Sequence, residues 1–486
     1  MKKLMIALAV GAFLLSMTGI SSATDVNIYG ASAQFNFWSN LATTWLTLPV
    51  ASGGAHCQTA PVTNAGASYS PADKTPAGVY YHGAKYFVVT ASQCDASVAT
   101  DQKITIRVSA YDSEDGINAV LGTTNLNDVY GCTKRQRMML NDNTNNADTN
   151  FGCYDVHLGA SDVNGTTLIQ STQGQLDGPK GPTSVTVGDV LLAGGVAGGA
   201  LPAPDLGKWT AGAAGSDYPV VAQATCSNGT LIDNHPFVDP FAFYVENDAK
   251  TAGDGLLAAN ITNLTQGMVE QIFSGNVTDW HTFFPSIPAG STITRCLRVA
   301  GSGTYATFDA GVMKTNGVGA TLPSKDETYP PVSDHVWFNN TSGDMENCFS
   351  TIPGAIGFID ASTGAYAGAT QVSFNGTAPT GANLQNGTYD RFWSLEHIFE
   401  PIFPLPANTG TFSDAENVAA GYANNYPSPT VSAMMNWANN LTAWPAGLPA
   451  AYQTYWAIDT LMSVHKGTDF TYPPIAGAYV TGTCYE

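Results

Sequence analysis

Basic residues are scarce in this chain. Lys and Arg number 18 against 38 Asp and Glu in 486 residues, for a net charge of −20. So acidic a surface excludes nucleic acid and an anionic membrane as partners, because both require clustered positive charge. It also means that any bound anion must be held by local donors working against the overall field. Beyond the first residues, no stretch reaches the roughly 18 continuous apolar residues of a membrane helix. Several chemical motifs are absent as well. There is no C-x-x-C, which disfavours a structural zinc site and excludes c-type haem attachment. There is no H-E-x-x-H, no Walker loop and no G-x-S-x-G elbow, and the eight histidines are scattered. No metal and no cofactor is expected, and Ser302 is a poor nucleophile.

What is present begins with an export signal. Lys2 and Lys3 precede an apolar core from Met5 to Leu15, and Ser21-Ser22-Ala23 supplies the small residues of a cleavage site. Residues 1–23 are therefore expected to leave, and the loss of two lysines and no acid takes the charge from −20 to −22. Eight cysteines, an even number, suit disulfides in an exported chain. Proximity suggests Cys57 with Cys94 and Cys132 with Cys153, although sequence alone leaves connectivity open.

Strand–turn–helix units organise the chain. Asp25 to Gly30 reads as a strand ending in a glycine turn, followed by Phe37, Leu41, Trp45 and Leu48 at helical spacing. Ile104 to Val108 alternates like a strand and leads through Asp112-Ser113-Glu114-Asp115-Gly116 into a second helical face. Gly159-Ala160-Ser161-Asp162 reads as a third tight turn. Residues 51–104, 122–158 and 173–235 look like polar or glycine-rich insertions. Phe237 to Val245 is apolar enough for a buried crossing strand. Thr265 caps a helix that stops at Gly275. Thr292 to Val299 is a strand entering Gly301-Ser302-Gly303-Thr304. A Pro-Gly turn at 353–354 precedes another strand, and the tail from Ala415 to His465 is mostly helical.

The glycine/serine turns carry the chemistry. Where a strand feeds a helix, such a turn aims backbone N–H groups and short hydroxyls at the positive end of the macrodipole, which suits an anion. The sharpest is Arg298-Val-Ala-Gly301-Ser302-Gly303-Thr304, where Arg298 can add a bidentate fork. A Gly-Ser-Gly turn taken alone is more often simply structural. Asp162 taken alone reads equally as a helix N-cap.

The ordered set of segments is more specific. Gly30-Ala-Ser-Ala-Gln34-Phe35, Ile272-Phe-Ser-Gly-Asn-Val-Thr-Asp-Trp280, Gly301-Ser-Gly-Thr304, Pro353-Gly-Ala-Ile-Gly-Phe358 and Asn386-Gly-Thr-Tyr389 resemble the phosphate-binding proteins of ABC transporters. About half of the mature chain lies in segments of this kind. The resemblance implies an α/β fold of the two-lobed periplasmic-binding-protein type II. Each lobe would be a mostly parallel sheet flanked by helices, and two crossing strands would join the lobes. Lobe I would span 24–236, lobe II 237–370, and residues 371–486 would return to lobe I and end in helices. The implied ligand residues are Gln34, Phe35, Ser113, Asp162, Arg298, Ser302, Gly303 and Thr304. Three departures stand out: Gln34 replaces a usual threonine, Glu114 and Asp115 replace smaller neighbours, and Ala300 replaces an aspartate beside the arginine.

The resemblance further implies capture of inorganic phosphate, or a similar tetrahedral oxyanion, and its delivery to the membrane permease of an ABC transporter. It implies no enzymatic step, an address in the periplasm or outside the cell, and a monomer. Asp162 would select phosphate over sulfate, since only phosphate carries a proton to donate to a carboxylate. The alternative is a secreted or cell-surface interaction protein that reuses the scaffold without transport. A hydrolase is disfavoured by the missing activated nucleophile and dimetal cluster.

Overall fold

The computed structural model describes residues 24–67, 85–99, 102–121, 132, 135–144, 150–164, 231–247, 261–298, 302–313, 336–339, 342–362, 365–401, 429–466 and 475–476. The export signal, the glycine-rich stretch 173–216, Ala300 and Gly301 lie outside the described residues.

The first lobe grows from the apolar strand β1 (Thr24–Gly30), whose chain turns into helix α1 (Phe35–Thr47). Phe37, Trp38, Leu41 and Trp45 sit on the face of α1 that packs against the sheet, and all are buried. Three strands and a helix follow: β2 (Val62–Ala67), β3 (Lys85–Ser92), β4 (Lys103–Ala110) and α2 (Ser113–Leu121). A hairpin of β5 (Gln136–Leu140) and β6 (Phe151–Asp155) leads to β7 (Leu158–Ser161), and β8 (Leu231–Asn234) comes later. Gly159 to Ser161 is therefore strand rather than turn, and the bend begins at Asp162. The glycine at the end of β1 is required by close packing. Gly30 has φ 139°, and a Cβ there would lie 2.0 Å from the Ala160 carbonyl oxygen and 2.9 Å from the Gly116 Cα.

The second lobe is built around β9 (Phe237–Glu246), a strand buried at all ten positions. It continues with β10 (Asn263–Leu264) and helix α3 (Gln266–Phe273). The Thr265 hydroxyl accepts from the Met268 N–H as expected of a cap, and Gly275 has φ 84° at the stop. Then come β11 (Thr294–Arg298), helix α4 (Gly303–Phe308), which runs into a π-turn over Asp309–Met313, β12 (Val336–Asn339) and helix α5 (Ser342–Thr351). Strands β13 (Ala355–Asp360), β14 (Ala365–Tyr366) and β15 (Ala369–Phe374) and the short helix α6 (Gly381–Gln385) complete the lobe. Because β15 pairs with β9 over residues 369–372, the second sheet extends past residue 370.

The return path runs through β16 (Trp393–Leu395) and β17 (His397–Pro401). Helices α7 (Pro429–Asn439) and α8 (Ala450–Tyr455) follow, then β18 (Ala457–Ile458). The first sheet has the order β2-β3-β4-β1-β7-β17-β8, and the path of the second is β10-β15-β9-β13-β11-β12. Both sheets are mixed rather than mostly parallel. β4-β1-β7 and β13-β11-β12 are parallel, as helix crossovers require. β2, β3, β17 and β8 join antiparallel, and so does β9. All three segments read as insertions thus contain strands, two of them adding β2, β3 and β8 to the first sheet and the third forming the β5–β6 hairpin. Lys85–Ser92 is apolar on both faces and is covered on both faces, which a surface loop would not tolerate.

β9 and β16 form the link between the lobes. Trp393 to Leu395 pair antiparallel with Val238 to Pro240, beside the part of β9 that belongs to the second sheet. Phe243 stacks on Phe392 at 5.0 Å and Phe308 on Phe358 at 4.3 Å, so lobe II and the returning crossing share one aromatic core. Disulfides join Cys57 to Cys94 and Cys132 to Cys153, both as proximity suggested, and a third ties β11 to α5 through Cys296 and Cys348.

Candidate functional site

The N-terminus of α4 meets lobe I at the ends of β4 and β7. Gly303 lies so close that a Cβ there would be 2.3 Å from Ser113 Oγ and 2.7 Å from the Asp162 Cβ. No other residue fits without moving a lobe. One position on, the Thr304 hydroxyl donates to Asp162 Oδ2 at 2.8 Å. The Asp162 N–H donates to Ser113 Oγ at 3.1 Å, and the Ser394 hydroxyl of β16 donates to the Asp162 carbonyl. Turns from both lobes and the crossing strand therefore converge on one residue, Thr304 on its carboxylate and Ser113 and Ser394 on its backbone. The second oxygen of that carboxylate, Oδ1, is buried without a hydrogen-bond partner. Such an acceptor costs about 1–3 kcal/mol unless a donor arrives.

Arg298 stands behind this contact at the end of β11, 2 % exposed. Its Nε donates to the Asn339 carbonyl at 3.2 Å and its Nη1 to Ser342 Oγ at 3.2 Å. Ser342 in turn shares a hydrogen bond of 2.6 Å with Ser32 in the first turn of lobe I. Arg298, Ser342 and Ser32 thus make a second bridge across the cleft. Ser32 lies inside the recognised turn but was not singled out, and Ser342 has no sequence signal, being one hydroxyl in an Asn/Thr/Ser run.

The remaining expected residues divide. Ser302 caps α4, its Oγ accepting from the Tyr305 N–H at 3.3 Å. Phe35 begins α1, buried against the lobe I core. Gln34 is a correction, since its side chain turns away from the cleft. Its Nε2 donates to the carbonyls of Ser161 at 2.9 Å and His397 at 2.7 Å, and its Oε1 accepts from Trp38 Nε1 at 2.9 Å. The longer amide reaches lobe I carbonyls and braces β7 to β17 instead of facing an anion.

Glu114 and Asp115 do not burden the site with bare charge. Arg137 from the β5–β6 hairpin grips Asp115 with two bonds, Nε to Oδ2 at 2.9 Å and Nη2 to Oδ1 at 2.5 Å. Burial, reinforced by Asp112 and Asp115, holds the Glu114 carboxyl well above its ordinary range, which disfavours its charged form. The hairpin read as an excursion thus supplies the counter-charge.

Around Asp162 lies a group of buried carboxylates: Asp239 on β9, Asp360 at the end of β13, and Glu396 between β16 and β17. Burial raises the Asp162 pKa to about 6, against the smaller opposing pull of the Thr304 hydroxyl and the Arg298 charge. Burial and the neighbouring carboxylates push Asp239 and Glu396 well above the usual range. The Trp456 indole and the Gln34 amide favour the charged forms of these two, but neither lies at hydrogen-bond distance.

A pKa raised on folding means that the folded state binds the proton more tightly than the unfolded chain. The stability so gained is fully present below about pH 4 and is lost as pH rises through about 6 for Asp162, and the raised Asp239 and Glu396 act in the same direction. For Asp162 alone the difference is ~3 kcal/mol. The melting temperature of the anion-free protein is expected to be higher at pH 5 than at pH 8. Calorimetry at both values checks this, and a melting temperature that is flat or rises with pH contradicts it.

Two mixed α/β lobes flanked by helices, joined by crossing strands and meeting where turns of both converge on Asp162, constitute a periplasmic-binding-protein-like fold. In keeping with this, residues 206–436 match the family model described as the PBP superfamily domain. A search of curated proteins finds no match. Among solved structures, the chain is similar to a phosphate-binding protein from Stenotrophomonas maltophilia. The two share 14% identity over 88% of this chain and 93% of that one, with a TM-score of 0.35. It is also similar to PstS from Borrelia burgdorferi, at 12% identity over 82% of this chain and 92% of that one, with a TM-score of 0.31. A third is an ABC-type phosphate transport receptor from Vibrio cholerae, at 17% identity over 45% of this chain and 74% of that one, with a TM-score of 0.27.

Proposed function

We propose that this protein is an extracytoplasmic solute-binding protein that captures inorganic phosphate between its lobes and presents it to an ABC-transporter permease. The observation that carries this reading is Asp162. Its carboxylate is buried at the meeting point of the lobes, and one oxygen lacks a donor. It is ringed by the residue types that hold a protonated oxyanion: the Ser113, Ser302 and Thr304 hydroxyls, the Gly303 backbone and the Arg298 guanidinium. A protonated phosphate supplies the donor that Oδ1 lacks, and the hydroxyls and Arg298 serve its other oxygens. Capture is by hinge motion of the lobes about β9 and β16, with no covalent step. We assign the ligand role to Ser113, Asp162, Arg298, Ser302, Gly303 and Thr304, and to the backbone at Phe35.

Calorimetric titration of the ligand-stripped protein with phosphate, and separately with sulfate, tests the proposal. Expected are micromolar or tighter phosphate binding, weak sulfate binding, and a loss of phosphate affinity of at least ~30-fold in Arg298→Ala, since truncating one partner of a buried charge contact costs ~2–5 kcal/mol. No heat with either anion from a folded protein would refute it. The weight would then pass to a surface interaction protein on the same scaffold, which the buried ion pair from the β5–β6 hairpin and the disulfide-tied segments of lobe I also suit.

A further inference from the structure

The histidines are scattered in sequence but not in space. His235 follows β8 directly, His397 opens β17, and β8 and β17 pair antiparallel, with Asn234 opposite Ile398 and Asp233 opposite Phe399. That register brings both imidazoles to the Asp233 carboxylate. His235 Nε2 and His397 Nδ1 each lie 3.0 Å from Asp233 Oδ1, and the rings stand nearly perpendicular with centroids 4.7 Å apart. The side chains are sealed from solvent, at 2 % exposure for His235 and Asp233 and 0 % for His397. One ligand atom from each of the three falls within 4.8 Å of the others.

We propose that Asp233, His235 and His397 form a binding site for a first-row transition-metal dication, zinc foremost. Ligands about 2.0–2.1 Å from a zinc ion and separated by right to tetrahedral angles stand roughly 2.9–3.4 Å from one another. The 3.0 Å separations here are of that size. Two imidazoles and a carboxylate select zinc and its neighbours over calcium and magnesium, which take oxygen ligands. The metal takes the lone pairs of the two ring nitrogens that face Asp233, each neutral imidazole carrying its single proton on the other nitrogen; a ring that starts as imidazolium releases its second proton to water. Asp459 is also buried with its Oδ1 lacking a hydrogen-bond partner, but it lies outside the three-residue set whose ligand atoms fall within 4.8 Å of one another.

The location gives the metal a structural task. β9 leaves lobe I two residues after His235, and β16 returns to it two residues before His397. An ion held by both histidines ties the two crossings together at the lobe I end of the hinge.

The test uses the full exported chain without a histidine tag, treated with a chelator, freed of it, and titrated with Zn²⁺ by calorimetry. One equivalent is expected to bind and to raise the melting temperature, while Ca²⁺ and Mg²⁺ do neither. Asp233→Asn and His235→Leu are expected to weaken zinc binding by more than the ~10–100-fold that even an outer-shell partner commands. Proton NMR of the Co²⁺ form of the unaltered protein gives a second readout that does not depend on the folding of any variant. Two strongly shifted, exchangeable imidazole N–H signals are expected. Absence of a zinc equivalent, binding undiminished in both variants, or a cobalt form without two such signals overturns the proposal. None of these results depends on whether phosphate binds.

Discussion

Asp162→Asn is expected to shift the sulfate-to-phosphate affinity ratio toward sulfate by at least ~100-fold. The buried carboxylate already spends Oδ2 on the Thr304 hydroxyl, so Oδ1 alone remains for the ligand. Phosphate brings a proton to that oxygen, whereas sulfate brings only lone pairs, leaving a buried charge opposed. Sites built on such a mismatch discriminate by about 10⁴ or more, because the wrong ligand leaves polar groups unpaired. An amide at this position turns a pure acceptor into a donor that sulfate can use, and phosphate loses its proton acceptor. Parallel titrations of the two anions on wild type and variant read the ratio directly. A ratio within threefold of the wild-type value removes Asp162 from the selectivity argument.

Arg137→Ala is expected to destabilise the fold by ~3–5 kcal/mol, the cost of breaking a buried pair and stranding one charge. Arg137 is 0 % exposed, holds Asp115 with two bonds, and donates from Nη1 to the Gln136 carbonyl at 2.9 Å. With it gone, the Asp115 carboxylate stays buried two residues from Ser113, without its counter-charge. Thermal unfolding should show the loss as a fall in melting temperature on the order of 5 °C, at about 1 °C per kcal/mol for a chain of this length with an unfolding entropy of about 2.1 cal/mol/K per residue. Phosphate affinity should fall with it. The double variant Arg137→Leu with Asp115→Leu should recover most of the stability, since a buried pair exchanged for apolar side chains is often neutral. A single variant that melts like wild type would show that Asp115 is neutralised in some other way.

The legible parts of this protein were those in which a segment carries its own signal. The strands at 24–30, 103–110 and 294–298 and the helix at 35–47 follow from apolar periodicity, and the Thr265 cap and Gly275 stop from local chemistry. The positions of Ser113, Ser302 and Thr304 at strand-to-helix junctions were legible from the strand and helix patterns on either side, whereas Gly159–Ser161 proved to be strand. The mixed sheets were less legible. Whether β3 or β17 joins a sheet parallel or antiparallel depends on which edge is free, and no window of residues records that. The partners of the Gln34 amide were not legible because nothing local shows that the Ser161 and His397 carbonyls lie within its reach. The counter-charge on Asp115 and the bridge through Ser342 were missed because their partners sit 22 and 310 residues away.

By itself, then, the sequence determined the α/β class and the short-range elements, and proximity along the chain pointed to two of the disulfide pairs. All of these rest on interactions between residues close along the chain, where spacing and side-chain chemistry suffice. Tertiary structure alone decided that Gly303 docks on Ser113 and Asp162, that Arg137 neutralises Asp115, and that Asp233, His235 and His397 meet. Each of these depends on the register of strands remote in sequence, and register is set by the packing of the whole sheet rather than by any segment within it.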